Sequence, residues 1–172
     1  MLTKTPLSVV NAMRATAFNA VFGRVFEHSP WIAERALAHR PFASRTAMHR
    51  AMCEVVEHAS RDEKIALLCA HPELAGKEAQ SGSLTPESTN EQQKAGLNAL
   101  SREELARIAK LNRSHTEKFG FPFIIAARLN GKDRIFAEFE RRNGLEVDAE
   151  LAACIEEVYL ITRLRIDELI DE

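Results

Sequence analysis

Ser101-Arg-Glu-Glu-Leu-Ala-Arg-Ile-Ala-Lys-Leu-Asn-Arg-Ser-His-Thr-Glu-Lys-Phe-Gly120, followed at once by Phe121-Pro-Phe-Ile-Ile-Ala126, decides how this chain is read. Ser101 and Glu104 are spaced as a capping box, in which each side chain satisfies a backbone N–H at a helix start. Leu105, Ile108, Ala109 and Leu111 then recur at helical spacing, and Gly120 ends the helix near Phe119. The next run, residues 121–126, is too short and too β-branched for a helix, and no other strand-like run is available to pair with it. It reads as an extended, buried connector.

Outward from this stretch the chain continues as helices. Phe18, Val21, Phe22 and Val25 predict a helix from about Thr16 to Phe26. Ser29-Pro30 supplies a cap and a first-turn proline ahead of Trp31-Ile32-Ala33, and Arg40-Pro41 closes that short helix. Ser44 opens a helix carrying Met48, Met52, Val55 and Val56, while Ser60 and Glu63 form another capping box before Ile65–Cys69, a helix that Pro72 stops. Small polar residues from Glu73 to Ser83 read as a loop, and Thr85-Pro86 restarts a helix to about Leu100. After the Asn130-Gly131 turn, Ile135, Phe136 and Phe139 mark a helix, and Asp148 begins a long last one to about Ile170. The expected fold class is all-α: a single-domain multi-helix bundle with one extended buried connector.

The 172 residues suffice for one core, and neither a repeat nor a linker divides them. With 45% apolar residues, 28% charged residues and a net charge of -2, the chain lacks the cationic field that grips nucleic acid. No uncharged stretch reaches the ~20 residues of a membrane span, and the start resembles no signal peptide. Cys53, Cys69 and Cys154 are odd in number and far apart, so they read as buried free thiols in a cytoplasmic protein. CxxC, HExxH, GxSxG, Walker A and GxGxxG patterns are all missing, which removes the common zinc, serine-hydrolase and nucleotide signatures.

Polar residues that interrupt the apolar pattern carry the functional information. On the helix after Pro86, Ser88, Glu91, Gln92, Ala95 and Ala99 share one face at 100° per residue, opposite the solvated Asn90, Gln93, Lys94 and Asn98. Two readings fit: a packing face on which Ala95 and Gly96 permit close approach, or a site whose buried groups need partners. On the last helix Leu151, Ile155, Val158, Thr162, Ile166 and Leu169 define an apolar arc with Arg165 inside it and Arg163 at its edge. A guanidinium there either snorkels along its stem or meets an anion, such as Glu91 or a substrate carboxylate. His71, just before Pro72, can project into a cleft or simply cap its helix.

Taken in order, His71-Pro-Glu-Leu-Ala-Gly-Lys77, Ser88-x-x-Glu91-Gln92, Phe119-Gly-Phe-Pro-Phe-Ile124 and Leu164-Arg165-Ile166 resemble the OHCU decarboxylases. These enzymes act on 2-oxo-4-hydroxy-4-carboxy-5-ureidoimidazoline in urate breakdown. Phe26-Glu-His-Ser-Pro-Trp-Ile-Ala33 and Arg40-Pro41-Phe42 extend the likeness over nearly the whole chain, as one domain, residues 1–172. The resemblance implies an all-helical fold, (S)-allantoin as product, no cofactor, no metal and a small-molecule partner. Some relatives pair as homodimers, a state this sequence does not fix.

Carried over residue by residue, the resemblance puts catalytic roles on His71, Glu91 and Arg165. It puts substrate contacts on Pro72, Ser88, Gln92 and the connector residues Phe123, Ile124 and Ile125. Ile166 replaces a leucine of the family's Leu-Arg-Leu ending, Arg163 lies close enough to share the match, and His115 stands where tyrosine is common, a change expected to affect packing. Two other functions fit the same inward polar groups: a helical protein-interaction module, and a hydrolase of a related ureido or cyclic amide.

Overall fold

A computed structural model describes residues 4–172, and it is mostly helical. The described chain forms two compact units, one from the described residues of Met1–Ala70 together with Tyr159–Glu172, the other from His71–Val158.

In the first unit, α1 (Leu7–Ala12), α2 (Ala15–Phe22), α3 (Pro30–Ala36), α4 (Arg45–Glu57) and α5 (Arg61–Cys69) surround buried Phe18, Phe22, Phe26, Ile32, Met48 and Met52. Each such aromatic or aliphatic side chain removed from water contributes about 2 kcal/mol to the hydrophobic driving force. Ser44 caps α4 by accepting from Ala47 N at 2.9 Å, and Ser60 with Glu63 forms the expected box on α5. Ser29, by contrast, turns its hydroxyl to Glu27 O at 2.9 Å and leaves α3 to begin at Pro30 without a side-chain cap. The α2 helix stops at Phe22, four residues short of the expected end, and Val25 and Phe26 reach the core from the turn that follows. Thr5–Pro6 (β1) and Ile170–Asp171 (β2) pair in parallel, a contact that local periodicity cannot announce.

The second unit contains α6 (Lys77–Ser81), α7 (Pro86–Lys94), α8 (Arg102–Phe119) and α9 (Lys132–Arg142). The last helix, α10 (Val147–Leu169), supplies its residues up to Val158 to this unit. The core joins Leu74, Leu97, Ile108, Phe123, Ile125, Ile135, Phe136 and Phe139. Here α8 has both its capping box at Ser101 and Glu104 and its glycine stop, with Gly120 at φ 80°. The connector 121–126 has no helix or strand, and every residue in it is buried.

Two boundaries in this unit correct the sequence reading. The polar stretch expected as a loop holds the short helix α6. α7 ends at Lys94 rather than near Leu100, because Gly96 adopts φ 78°, a left-handed conformation that side-chain-bearing residues resist. A 3-10 turn at Leu97–Ala99 follows, which buries Leu97 and leaves Ala99 exposed instead of on the inner stripe. The thiols also divide: Cys53 and Cys154 are buried, but Cys69 is exposed, since α5 buries Leu67 and Leu68 and its last residue falls beyond them.

Candidate active site

The polar face of α7 is an inner face. Thr85 accepts from Ser88 N at 3.2 Å and Pro86 occupies the first turn, which fixes the phase of the helix. Ser88, Glu91, Gln92 and Ala95 are then buried at 4%, 8%, 6% and 5% exposure, while Asn90, Gln93, Lys94 and Asn98 face water. The helix packs against the turn Ala127–Leu129 that immediately follows the connector.

His71 is buried at the head of the segment leading into α6, and Pro72 beside it is half-buried. That segment is tied to two helices. Gln92 Oε1 accepts from Ala75 N at 2.9 Å and its Nε2 donates to Glu73 O at 3.5 Å, while Asn112 Nδ2 on α8 donates to Leu74 O at 2.9 Å. The carboxamide that the resemblance assigns to substrate is therefore engaged with backbone, and it couples α7 to the loop that starts at His71. Phe123, Ile124 and Ile125 are buried in the same unit.

Arg165 belongs to the first unit. It is 4% exposed, and its Nη1 donates to Glu27 Oε2 at 2.7 Å and to Val25 O at 3.2 Å. Of the two readings of a guanidinium on this arc, the paired one holds, with Glu27 as a carboxylate that meets it. Arg163 is half-buried and binds Asp167 and Thr46 on the outer edge.

Of a second polar group the sequence reading names only His115 and Cys154, each by itself. His115, Arg142, Glu150 and Cys154 are all buried behind the connector. Burial raises the Glu150 pKa, but hydrogen bonds from His115 and Arg142 outweigh it and hold the carboxyl below its usual range. Spacing could have found these residues: Ile108, Asn112, His115 and Phe119 form one stripe of α8, and Glu150 lies one turn before Cys154 on the buried face of α10.

Fold and site together define a small all-α protein that turns a serine, a carboxylate and a carboxamide inward from one helix. The OHCU decarboxylase family model matches residues 11–167. A protein of Haloferax volcanii named 2-oxo-4-hydroxy-4-carboxy-5-ureidoimidazoline decarboxylase is 39% identical over 162 residues, covering 94% of each chain. A mouse protein of the same name is 35% identical, covering 94% of this chain and 90% of its own. Among solved structures, (S)-allantoin synthase superposes with a TM-score of 0.79 at 25% identity, over 97% of this chain and 54% of that one. An OHCU decarboxylase crystallised with (S)-allantoin shares the fold, with a TM-score of 0.68 at 21% identity, over 84% of this chain and 94% of that one. The chain belongs to the OHCU decarboxylase family.

Proposed function

We propose that this protein decarboxylates 2-oxo-4-hydroxy-4-carboxy-5-ureidoimidazoline to (S)-allantoin. The observation that carries the reading is the buried row Ser88, Glu91 and Gln92, in the same unit as buried His71, in a chain matched by this family from residue 11 to 167. The 94% coverage of the Haloferax volcanii relative supports taking residues 1–172 as one domain of the family.

The substrate's carboxylate sits on a ring carbon that also bears a hydroxyl and adjoins a carbon able to form C=N. When the bond to CO2 breaks, its electron pair delocalises across that unit, so the substrate carries its own electron sink. The protein's task is then positioning and electrostatics. His71 holds the carboxylate or the neighbouring hydroxyl in the reactive orientation. Arg165 has the role that the resemblance implies, stabilising the ene-type anion. Loss of CO2 leaves a planar intermediate, and Glu91 or His71 delivers a proton to one face to give a single enantiomer. Ser88 and Gln92 orient the ureido and carbonyl groups, beside the backbone of Phe123, Ile124 and Ile125. The partner in this reading is a small molecule, with a homodimer compatible, and the setting is cytoplasmic, where thiols stay reduced.

Incubation with freshly generated substrate tests the reading. It expects accelerated CO2 release and a growing circular dichroism signal of one allantoin enantiomer. Decay at the spontaneous rate to racemic product, or release of ammonia instead of CO2, would overturn it.

A further inference from the structure

The connector 121–126 lacks regular structure, yet side chains from three helices hold its backbone. His115 Nδ1 meets Phe121 O at 3.0 Å, Arg142 Nη1 donates to Ile124 O at 2.8 Å, and the Cys154 thiol faces Pro122 O at 3.8 Å. At the far end Ala126 N donates to Glu157 Oε2 at 2.8 Å. Glu150 ties these anchors together: its Oε1 lies 2.8 Å from both His115 Nε2 and Arg142 Nη2, and its Oε2 accepts from Arg142 Nε at 3.0 Å. The ring of Phe123 lies between the Arg142 guanidinium, 4.3 Å from its centroid, and the Phe139 ring, stacked at 3.9 Å.

His115, Glu150 and Cys154 are also donor types that bind metals, with ligand atoms within 4.8 Å of one another. The guanidinium of Arg142 fills that place instead, 2.8 Å from Glu150 and 3.1 Å from Cys154. Burial and the neighbouring Glu150 push the Cys154 thiol up to about 12, so it stays protonated.

A buried ion pair is a poor device for stability alone, because apolar replacements of similar volume are often as stable or more so. Fixed hydrogen-bond geometry is what it supplies. The carbonyls of Phe121, Pro122 and Ile124 are all turned to this network, which fixes the peptide planes on both sides of the Phe123 carbonyl.

We propose that Arg142, Glu150, His115 and Glu157 are positioning residues for the decarboxylation, holding the backbone of Phe123–Ile125 in the orientation that aligns the substrate ring. This rests on the reading above that this backbone meets the substrate. Misplacement of a bound reactant by an ångström costs up to about a hundredfold in rate, so loosening either end of the connector is felt in turnover more than in binding.

Glu157 gives the cleanest test, since it is half-buried and its loss leaves the Arg142–Glu150 pair intact. Glu157→Leu removes the acceptor for Ala126 N, whereas Glu157→Gln keeps an oxygen there. We expect Glu157→Leu to lower kcat about tenfold and to change KM by less than about threefold. Its Tm should stay within about 4 °C of wild type, with Glu157→Gln near wild type throughout. Arg142→Lys, which cannot serve Ile124 O and both Glu150 oxygens together, should lower kcat further while the fraction that remains folded still binds allantoin. Unchanged kcat in folded Glu157→Leu, beside active wild type, overturns the positioning role alone. Inactive wild type overturns the decarboxylase reading, and the positioning role falls with it.

Discussion

Arg165 and Glu27 lie 138 residues apart in sequence and meet in a 2.7 Å ion pair, with side chains 4% and 2% exposed. The geometry serves a guanidinium that must keep one direction. Glu27 fixes the Nη1 edge together with Val25 O, so Arg165 is held by its surroundings rather than by its own flexible stem.

Breaking the pair from one side leaves a buried charge without its partner. Glu27→Gln and Arg165→Met are each expected to cost roughly 3–5 kcal/mol of stability. The double variant should lose clearly less than the sum, because neither charge is left stranded. Urea unfolding of the four proteins checks this, and simple additivity of the two losses would contradict the coupling.

His71→Asn and Glu91→Gln should each lower kcat/KM by about 10²–10⁴-fold with the helical circular dichroism unchanged, the range for removal of a positioned acid–base group. The optical purity of the allantoin separates their roles. Whichever variant removes the proton source should yield product nearer racemic, while the other yields less product of the same handedness. Near-normal turnover in either variant removes that residue from the mechanism.

Stability should fall between pH 6.5 and 4 because of His49. Burial, then the nearby Arg163 charge, lower its pKa to about 4, and its Nε2 lies 3.0 Å from Thr162 Oγ1. In the unfolded chain it titrates near 6.5. Through that window the unfolded state binds the extra proton, so acidification favours unfolding, and above about pH 6.5 the effect vanishes. Partial exposure of the ring limits the loss to roughly 1–2 kcal/mol. Guanidinium unfolding at pH 5 and pH 7 should show His49→Gln less pH-sensitive than wild type, and identical slopes would refute the assignment.

The helices were legible wherever a local rule governs them. The boxes at Ser60/Glu63 and Ser101/Glu104, the cap at Ser44 and the stop at Gly120 all stand where the residues indicated. The 100° step alone puts Ser88, Glu91 and Gln92 on an inner face, and all three are buried. What escaped was set by distant partners. Glu27 pairs with Arg165, 138 residues away, and β1 with β2 at the other end of the chain. His115, Arg142 and Glu150 belong to three different helices, so no window of sequence contains the network they form. Gly96 misled for a different reason: glycine inside a helical pattern can be a tolerated small residue or a left-handed stop, and here Leu97 reaches the core only if the helix ends.

Gln92 offers the last prediction, since its side chain is committed on both sides. Its Oε1 accepts from Ala75 N at 2.9 Å, and Ala75 holds φ 48°, a left-handed conformation that a side-chain-bearing residue keeps only when neighbours enforce it. Gln92→Met preserves volume but removes the acceptor, leaving a buried N–H unsatisfied at a cost of about 1–3 kcal/mol. The loss should concentrate in the loop that begins at His71. Hydrogen exchange at the Ala75 amide should accelerate markedly while the α8 amides change only with global stability, and turnover should fall because His71 loses its support. Unaltered Ala75 protection in a folded Gln92→Met protein would show that the loop holds itself, and Gln92 would then keep only the substrate-orienting role proposed for it.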